Sequence, residues 1–261
     1  MKNIPTLFAA LSLAACVGIA DAGALVDISV IDRSSGQTLE VYRHQGRLYV
    51  AGTPGKRYVV LLRNKSAGRL LTVVSVDGIN ALSGQTAASS QSGYVLSPWQ
   101  SAEIGGWRKS MDDVAAFYFT SLADSYAGRT DRPENVGVIG VAVYREATLA
   151  VTPPVSRQAR EHERAAAPAA STAEAKTAAT ARDEVGGRLA ESRLGTGHGE
   201  RISAPTQYTD FRRATELPSE IVAIHYDSRT NLLAQGIIPR AKPQPPVANP
   251  FPGGFTPDPR G

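Results

Sequence analysis

Hydrophobic and polar residues alternate one by one over much of residues 24–148. Val26, Ile28 and Val30 are separated by Asp27 and Ser29, Leu39 and Val41 flank Glu40, and Leu48 and Val50 resume the pattern after His44-Gln45-Gly46. A repeat of two belongs to strands with one face in a core and the other in water. Tyr58-Val59-Val60-Leu61-Leu62 is apolar on both faces and predicts a central strand. Leu70–Val76 predicts the next strand and ends at the turn dipeptide Asp77-Gly78; Asn64–Gly68 is a polar turn before it. Tyr94–Leu96, which stops at Pro98, Val114–Phe119 and Val136–Tyr144 complete the set. Gly137 and Gly140 inside the last of these predict a bulge or a close backbone approach. Long amphipathic helical patterns are missing. The expected fold is therefore all-β, an antiparallel β-sandwich of Ig-like or jelly-roll-like type, and about 125 residues suffice for one core.

The pattern changes after Val151, where Pro153-Pro154 breaks the sheet period. Residues 157–193 are roughly one third alanine, with balanced charges and almost no large apolar side chains. High helix propensity without an apolar stripe predicts a helical or disordered linker over 151–194. Gly195-Thr196-Gly197-His198-Gly199 lacks both the preceding strand and the GK[ST] ending of a phosphate loop, and reads as a flexible joint. Glu220–Tyr226 and Leu232–Ile238, joined by the turn formers Asp227–Asn231, predict a C-terminal β-hairpin that packs on the sandwich or extends its sheet. This gives a small module over 195–240, followed by a Pro/Gly-rich disordered tail over 241–261.

The first 22 residues bear on location. Lys2 precedes an apolar run from Thr6 to Ile19, and Ala20-Asp21-Ala22 offers small residues for cleavage before Gly23. That is the layout of a signal peptide, and the run is too short to span a bilayer. Leu13-Ala14-Ala15-Cys16 also resembles a lipobox, which makes Cys16 the alternative site of a lipid anchor; the apolar run continuing through Val17-Gly18-Ile19 favours soluble export. The expected location is the periplasm, with an outer-membrane lipoprotein or a secreted protein as alternatives.

Composition narrows the chemistry. A net charge of +4 and a pI near 9.3 come from charges of mixed sign without a long basic run, which argues against nucleic acid. The four histidines, His44, His162, His198 and His225, lack metal-ligand spacing, and Cys16 is the single cysteine, so no zinc site or other cofactor is expected. No GxSxG or SxxK motif occurs. The densest polar and aromatic stretch is Trp99–Arg129. Trp107, Arg108, Asp124, Tyr126 and Arg129 form a candidate ligand-binding set for a sugar or peptide. The competing reading, in which Trp107 caps the core and the arginines pair with neighbouring acids, is favoured. Asp77, Glu103 and Asp124 lie near predicted strand ends and are the candidate acids for hydrolysis.

Val76-Asp77-Gly78-Ile79-Asn80, Gly93–Pro98, Gly106–Ser110, Val114–Thr130 and Asn135–Tyr144 together resemble a group of exported proteins of Gram-negative bacteria without an established activity. The resemblance spans roughly residues 55–146, with Gly195–Gly199 and the 220–239 segment as a companion region. It implies location and one folding unit, and carries no catalytic residues. The resulting expectation is a non-catalytic envelope module that binds a protein or glycan partner. The alternative is a periplasmic hydrolase of envelope polysaccharide or peptide working through acids near Asp77 and Asp124.

Overall fold

Three sheets share one core. The computed structural model describes residues 23–148 and 193–240, so the leader with Cys16, nearly all of the linker and the tail lie outside the described residues. The first sheet runs β1 (Val26–Asp32), β4 (Tyr58–Asn64), β8 (Ser101–Ile104); the second runs β12 (Leu194–Ser203), β10 (Asp113–Ser121), β9 (Gly106–Arg108). The third has the order β2 (Val41–His44), β3 (Arg47–Gly52), β13 (Glu220–Ser228), β11 (Val138–Arg145), β5 (Leu70–Val76), β6 (Ile79–Asn80), with β7 (Tyr94–Leu96) also on β5. The architecture is an all-β sandwich, as the alternation predicts. Val26, Ile28 and Val30 point inward opposite Asn64, Leu62 and Val60, while Asp27, Ser29 and Ile31 face out. Both faces of β5 are buried, since Val74 and Val76 enter the main core while Leu71 and Val73 lie under a separate apolar cluster with Ala142 and Tyr144.

Two-residue hairpin loops occur where polar-Gly dipeptides stand. Gln45-Gly46 joins β2 to β3, and Asp77-Gly78 joins β5 to β6, all four residues having positive φ. Such a pair of left-handed residues matches the right-handed twist of the strands, and aspartate followed by glycine is a preferred choice. Gly137 has φ +90°, and a Cβ there would stand 3.1 Å from the Tyr226 carbonyl oxygen, so the close approach expected there is real.

The C-terminal half differs from its expected form in three ways. First, residues 195–199 are not a flexible joint but the interior of β12, paired along β10. The glycines are there for space: a Cβ on Gly195 would come within 2.6 Å of the Ser125 Cβ, and one on Gly199 within 2.7 Å of the Ala116 carbonyl. Second, the hairpin over 220–238 is half right. Its first arm is β13, but Ser228 then caps a short helix, Arg229–Ala234, by accepting a hydrogen bond from the Asn231 amide. A cap followed by Leu232-Leu233 and the left-handed Gly236 makes a helix where turn formers had suggested a loop. Leu232, Ile237 and Ile238 are buried against Tyr42, Tyr49 and Ala51 on the outer face of the third sheet. Third, β13 pairs with β3 in parallel, which makes that sheet mixed rather than wholly antiparallel; the long connection between the two strands permits it. Within 195–240, β12 thus extends the second sheet and β13 the third, the second of the two arrangements expected for this segment.

Residues 204–219 cross the other part of that outer face as a strap. Phe211 joins the cluster beside Tyr144, and Arg213 sits over the Tyr144 ring at 4.0 Å. Arg69 fastens the strap to the body by bonding the Thr209 hydroxyl and the Asp210 carbonyl while also pairing with Glu146 at 2.6 Å.

Candidate functional site: a sealed polar junction and an exposed turn

Where the three sheets meet, four polar side chains are enclosed. Tyr58 opens β4, Thr196 lies in β12, Tyr226 in β13, and Asp77 in the β5–β6 loop. The Asp77 carboxylate accepts from the Gly137 amide (2.9 Å) and the Tyr226 hydroxyl (2.5 Å) at Oδ1, and from the Thr196 amide (2.7 Å) at Oδ2. Counting protons fixes the direction of the rest. Tyr226 spends its one hydroxyl proton on Asp77, so at the 2.6 Å contact between the two hydroxyls Thr196 donates to Tyr226. Thr196 is then left as acceptor, so Tyr58 donates across its own 2.6 Å contact. A one-way chain of hydroxyls, Tyr58 to Thr196 to Tyr226, ends on the carboxylate.

The surroundings explain the electrostatics. Tyr58 stacks on Phe119 with ring centroids 4.3 Å apart, and Phe119 meets Tyr226 at 5.3 Å. Asp77 is 1% exposed. Burial pushes its carboxyl up to about 6, against the hydrogen bonds from Tyr226, Gly137 and Thr196, which pull it down. At neutral pH it is ionised and holds all its donors. Burial, together with the Asp77 charge, pushes both Tyr58 and Tyr226 well above the usual phenol range.

The residues singled out in the sequence lie elsewhere. Trp107 is only 2% exposed; its indole meets Phe117 edge-on and Tyr126, both at 5.0 Å, and its Nε1 donates to the Gly197 carbonyl at 3.3 Å. It has no free face on which a sugar could stack. Tyr126, in α1 (Tyr126–Arg129), lies between Trp107 and His198. Arg108 is engaged with the carbonyl of Ala204 and faces the Tyr94 ring at 5.9 Å, so it anchors the start of the strap. Asp124 is on an exposed loop, bonded to the Ser121 hydroxyl, and Arg129 ends α1 in solvent. Glu103 is exposed and pairs with Arg33 at 3.2 Å. The structure therefore joins Trp107 to Tyr126, and gives Asp77 and Asp124 separate hydrogen-bond partners in opposite settings, one sealed and one wet.

One aromatic residue that the sequence passed over has the opposite character to Trp107. Trp99 is 63% exposed and has φ +61°. It is the third residue of a turn closed by the Gln100 amide donating to the Ser97 carbonyl at 3.1 Å, with Pro98 second. A left-handed third position normally calls for glycine or asparagine. The turn is held from both sides, because Asn64 Nδ2 donates to Ser97 O at 2.8 Å and the Gln100 side chain accepts from the Ser97 amide at 2.8 Å. The Ser97-Pro98-Trp99-Gln100 string was the signal available: proline second in a turn places the tryptophan at its corner.

Among the described residues no group of three or more His, Cys, Asp or Glu side chains could hold a metal ion, and no helix is long and apolar enough to cross a membrane. Comparison with known proteins finds no match to a family model, to a curated protein or to a solved structure.

Proposed function

We propose that this chain is a non-catalytic protein of the bacterial cell envelope, exported by its first 22 residues, whose β-sandwich holds a protein or glycan partner. The observation that supports it most is the use made of Asp77. An acid with a raised pKa is the usual mark of a reactive centre. Here that acid is sealed, its oxygens take donors from three separate segments, and the hydroxyl chain behind it links the three sheets. The chemistry is spent on architecture. The contact surface in this reading lies on the strap, where Tyr208 and Leu217 are 92% and 78% exposed while Arg69 and Arg213 tie the strap to the body.

Two measurements test the reading. The intact mass of protein recovered from fractionated Gram-negative cells is expected to begin at Gly23 in the periplasmic fraction; retention of Met1–Ala22 in the cytoplasm overturns export. Leader-free protein incubated with envelope polysaccharides and peptides is expected to leave them unchanged, and turnover of either overturns the non-catalytic role. Photo-crosslinking from position 208 or 217 in intact cells then identifies what is held.

A further inference from the structure

We infer that the polar junction is a proton-operated switch: when Asp77 takes up a proton, the hydroxyls of Tyr226, Thr196 and Tyr58 turn round together, and the donor left without a partner appears on Tyr58. Partner and compartment play no part in it.

Three oxygen–oxygen contacts join the four side chains: Tyr58 to Thr196 at 2.6 Å, Thr196 to Tyr226 at 2.6 Å, and Tyr226 to Asp77 Oδ1 at 2.5 Å. Each contact holds one proton. With Asp77 ionised, the three hydroxyl protons fill the three contacts and none is left over. A protonated Asp77 brings a fourth. Its Oδ2 already faces the Thr196 amide, itself a donor, so the acid proton belongs on Oδ1, toward the Tyr226 oxygen. Tyr226 then donates to Thr196 instead, and Thr196 donates to Tyr58. The Gly137 and Thr196 amides keep their bonds, because the oxygens of a carboxylic acid still accept. Tyr58 now accepts where it had donated, and among the described residues no further oxygen contact takes its own proton. Leaving the surplus on Asp77 would strand the acid O–H, a much stronger donor than a phenol's, so the chain turns. Only hydroxyls rotate, and the strands keep their register.

The groups packed around Asp77 explain why it takes up the proton. Burial works against its charge and the bonds from Tyr226, Gly137 and Thr196 work for it, which leaves the carboxyl at about 6. From β4 and β13 the titratable groups that face it are Tyr58 and Tyr226, both pushed up and so neutral. From β12 and the start of β11 it meets the Thr196 and Gly137 amides, and Asn135 packs on the adjoining Gly78. The charged residues nearby have other partners. Arg193 donates to the Val136 carbonyl, and the Asp227 carboxylate accepts from the Leu194 amide and the Asn231 side chain. His198, two residues beyond Thr196, lies against Tyr126, and His225 lies against Tyr49.

Urea unfolding of the full chain at about pH 7.5 and about pH 4.5 tests the reversal through Tyr58→Phe. At the higher pH the substitution removes a working donor and should raise the unfolding constant about fivefold. At the lower pH it removes the stranded one and should bring no such rise. The ratio of mutant to wild-type constants is thus expected to fall about fivefold or more on acidification, and an equal ratio at both pH values overturns the switch. His198 and His225 also change charge in mild acid, so the pair of measurements is repeated on the Asp77→Asn background. There the ratio should not depend on pH; a ratio that still falls assigns the effect to another group and overturns the role of Asp77. Tyrosine isotopically labelled at Cζ reads the wild type directly, whether or not Asp77→Asn folds. The Tyr58 and Tyr226 resonances should move together with one midpoint. A Tyr58 resonance that stays fixed while that of Tyr226 moves, or two that stay fixed between about pH 4 and about pH 8, overturns the inference as well.

Discussion

Asp77 and Trp99 share a backbone conformation and little else. Both are non-glycine residues with positive φ at a turn between strands, +52° and +61°. Asp77 stands where an aspartate is ordinary, at the first place of a two-residue hairpin loop, and its side chain organises three sheets from within. Trp99 stands where glycine is ordinary, and its side chain is mostly in water. The difference teaches how to separate architecture from function in a fold without a recognisable active site. A left-handed residue whose side chain is used internally is explained by the fold. One whose side chain is left in water needs an explanation from outside it.

Substitution can break this contrast, beginning at its strongest point. Asp77→Leu strands the Gly137 and Thr196 amides and the Tyr226 hydroxyl in the interior. At about 1–3 kcal/mol for each buried group without a partner, the expected loss is about 4 kcal/mol or more in urea unfolding. Acid titration supplies the next effect. The folded carboxyl sits at about 6 and the unfolded one near 3.8, so the folded state binds the proton more tightly. Stability from this group is fully present below about pH 4, falls as pH rises to about 6 and is flat above; at about 1.4 kcal/mol per unit the change is about 3 kcal/mol. Asp32, whose carboxyl its hydrogen bond from Ser34 holds below the usual range, contributes in the opposite sense. The measurement is therefore the difference between wild type and Asp77→Asn, and a pH-independent difference removes the account of Asp77.

The direction of the hydroxyl chain predicts an asymmetry between two conservative changes. Tyr226→Phe takes a donor from a buried carboxylate and an acceptor from Thr196, and should cost about 2 kcal/mol. Tyr58→Phe removes only the first donor of the chain and should cost about 1 kcal/mol. Equal losses would mean that the protons run otherwise. The smallest effect has the reverse sign. Trp99→Gly relieves the left-handed backbone and should stabilise the domain by about 1 kcal/mol, measured by thermal melting; a loss instead would make Trp99 structural and end the contrast.

The sheet was legible in the sequence because its strands are half-buried and obey a repeat of two. Val26-Asp27-Ile28-Ser29-Val30 and the Asp77-Gly78 turn needed nothing beyond local chemistry. The polar junction was not legible. Asp77 was noticed as an acid at a strand end, but Tyr58, Thr196 and Tyr226 come to it from positions up to 149 residues away in the chain, and nothing local marks them. Glycine misled for a related reason. Gly195, Gly197 and Gly199 look like freedom in one dimension, whereas in three they are the only residues that fit beside Ser125, Tyr118 and Ala116. The helix after β13 was missed because Asp227–Asn231 satisfies the grammar of a loop and of a helix cap alike, and the buried seat for Leu232 decided between them.

Among the described residues, the last strand in sequence is not at the edge of its sheet. β13 lies between β3 and β11, with ladders on both sides, so the sheet stays split into two unconnected halves until residue 228 is available. A nascent polypeptide cut off before that point has no means of closing, and stays threadable for as long as its end is still being made. Once closed, the same arrangement works as a clasp: a protease nick anywhere in 149–192 should leave two fragments that co-elute as one body, because the second fragment is the middle of the first.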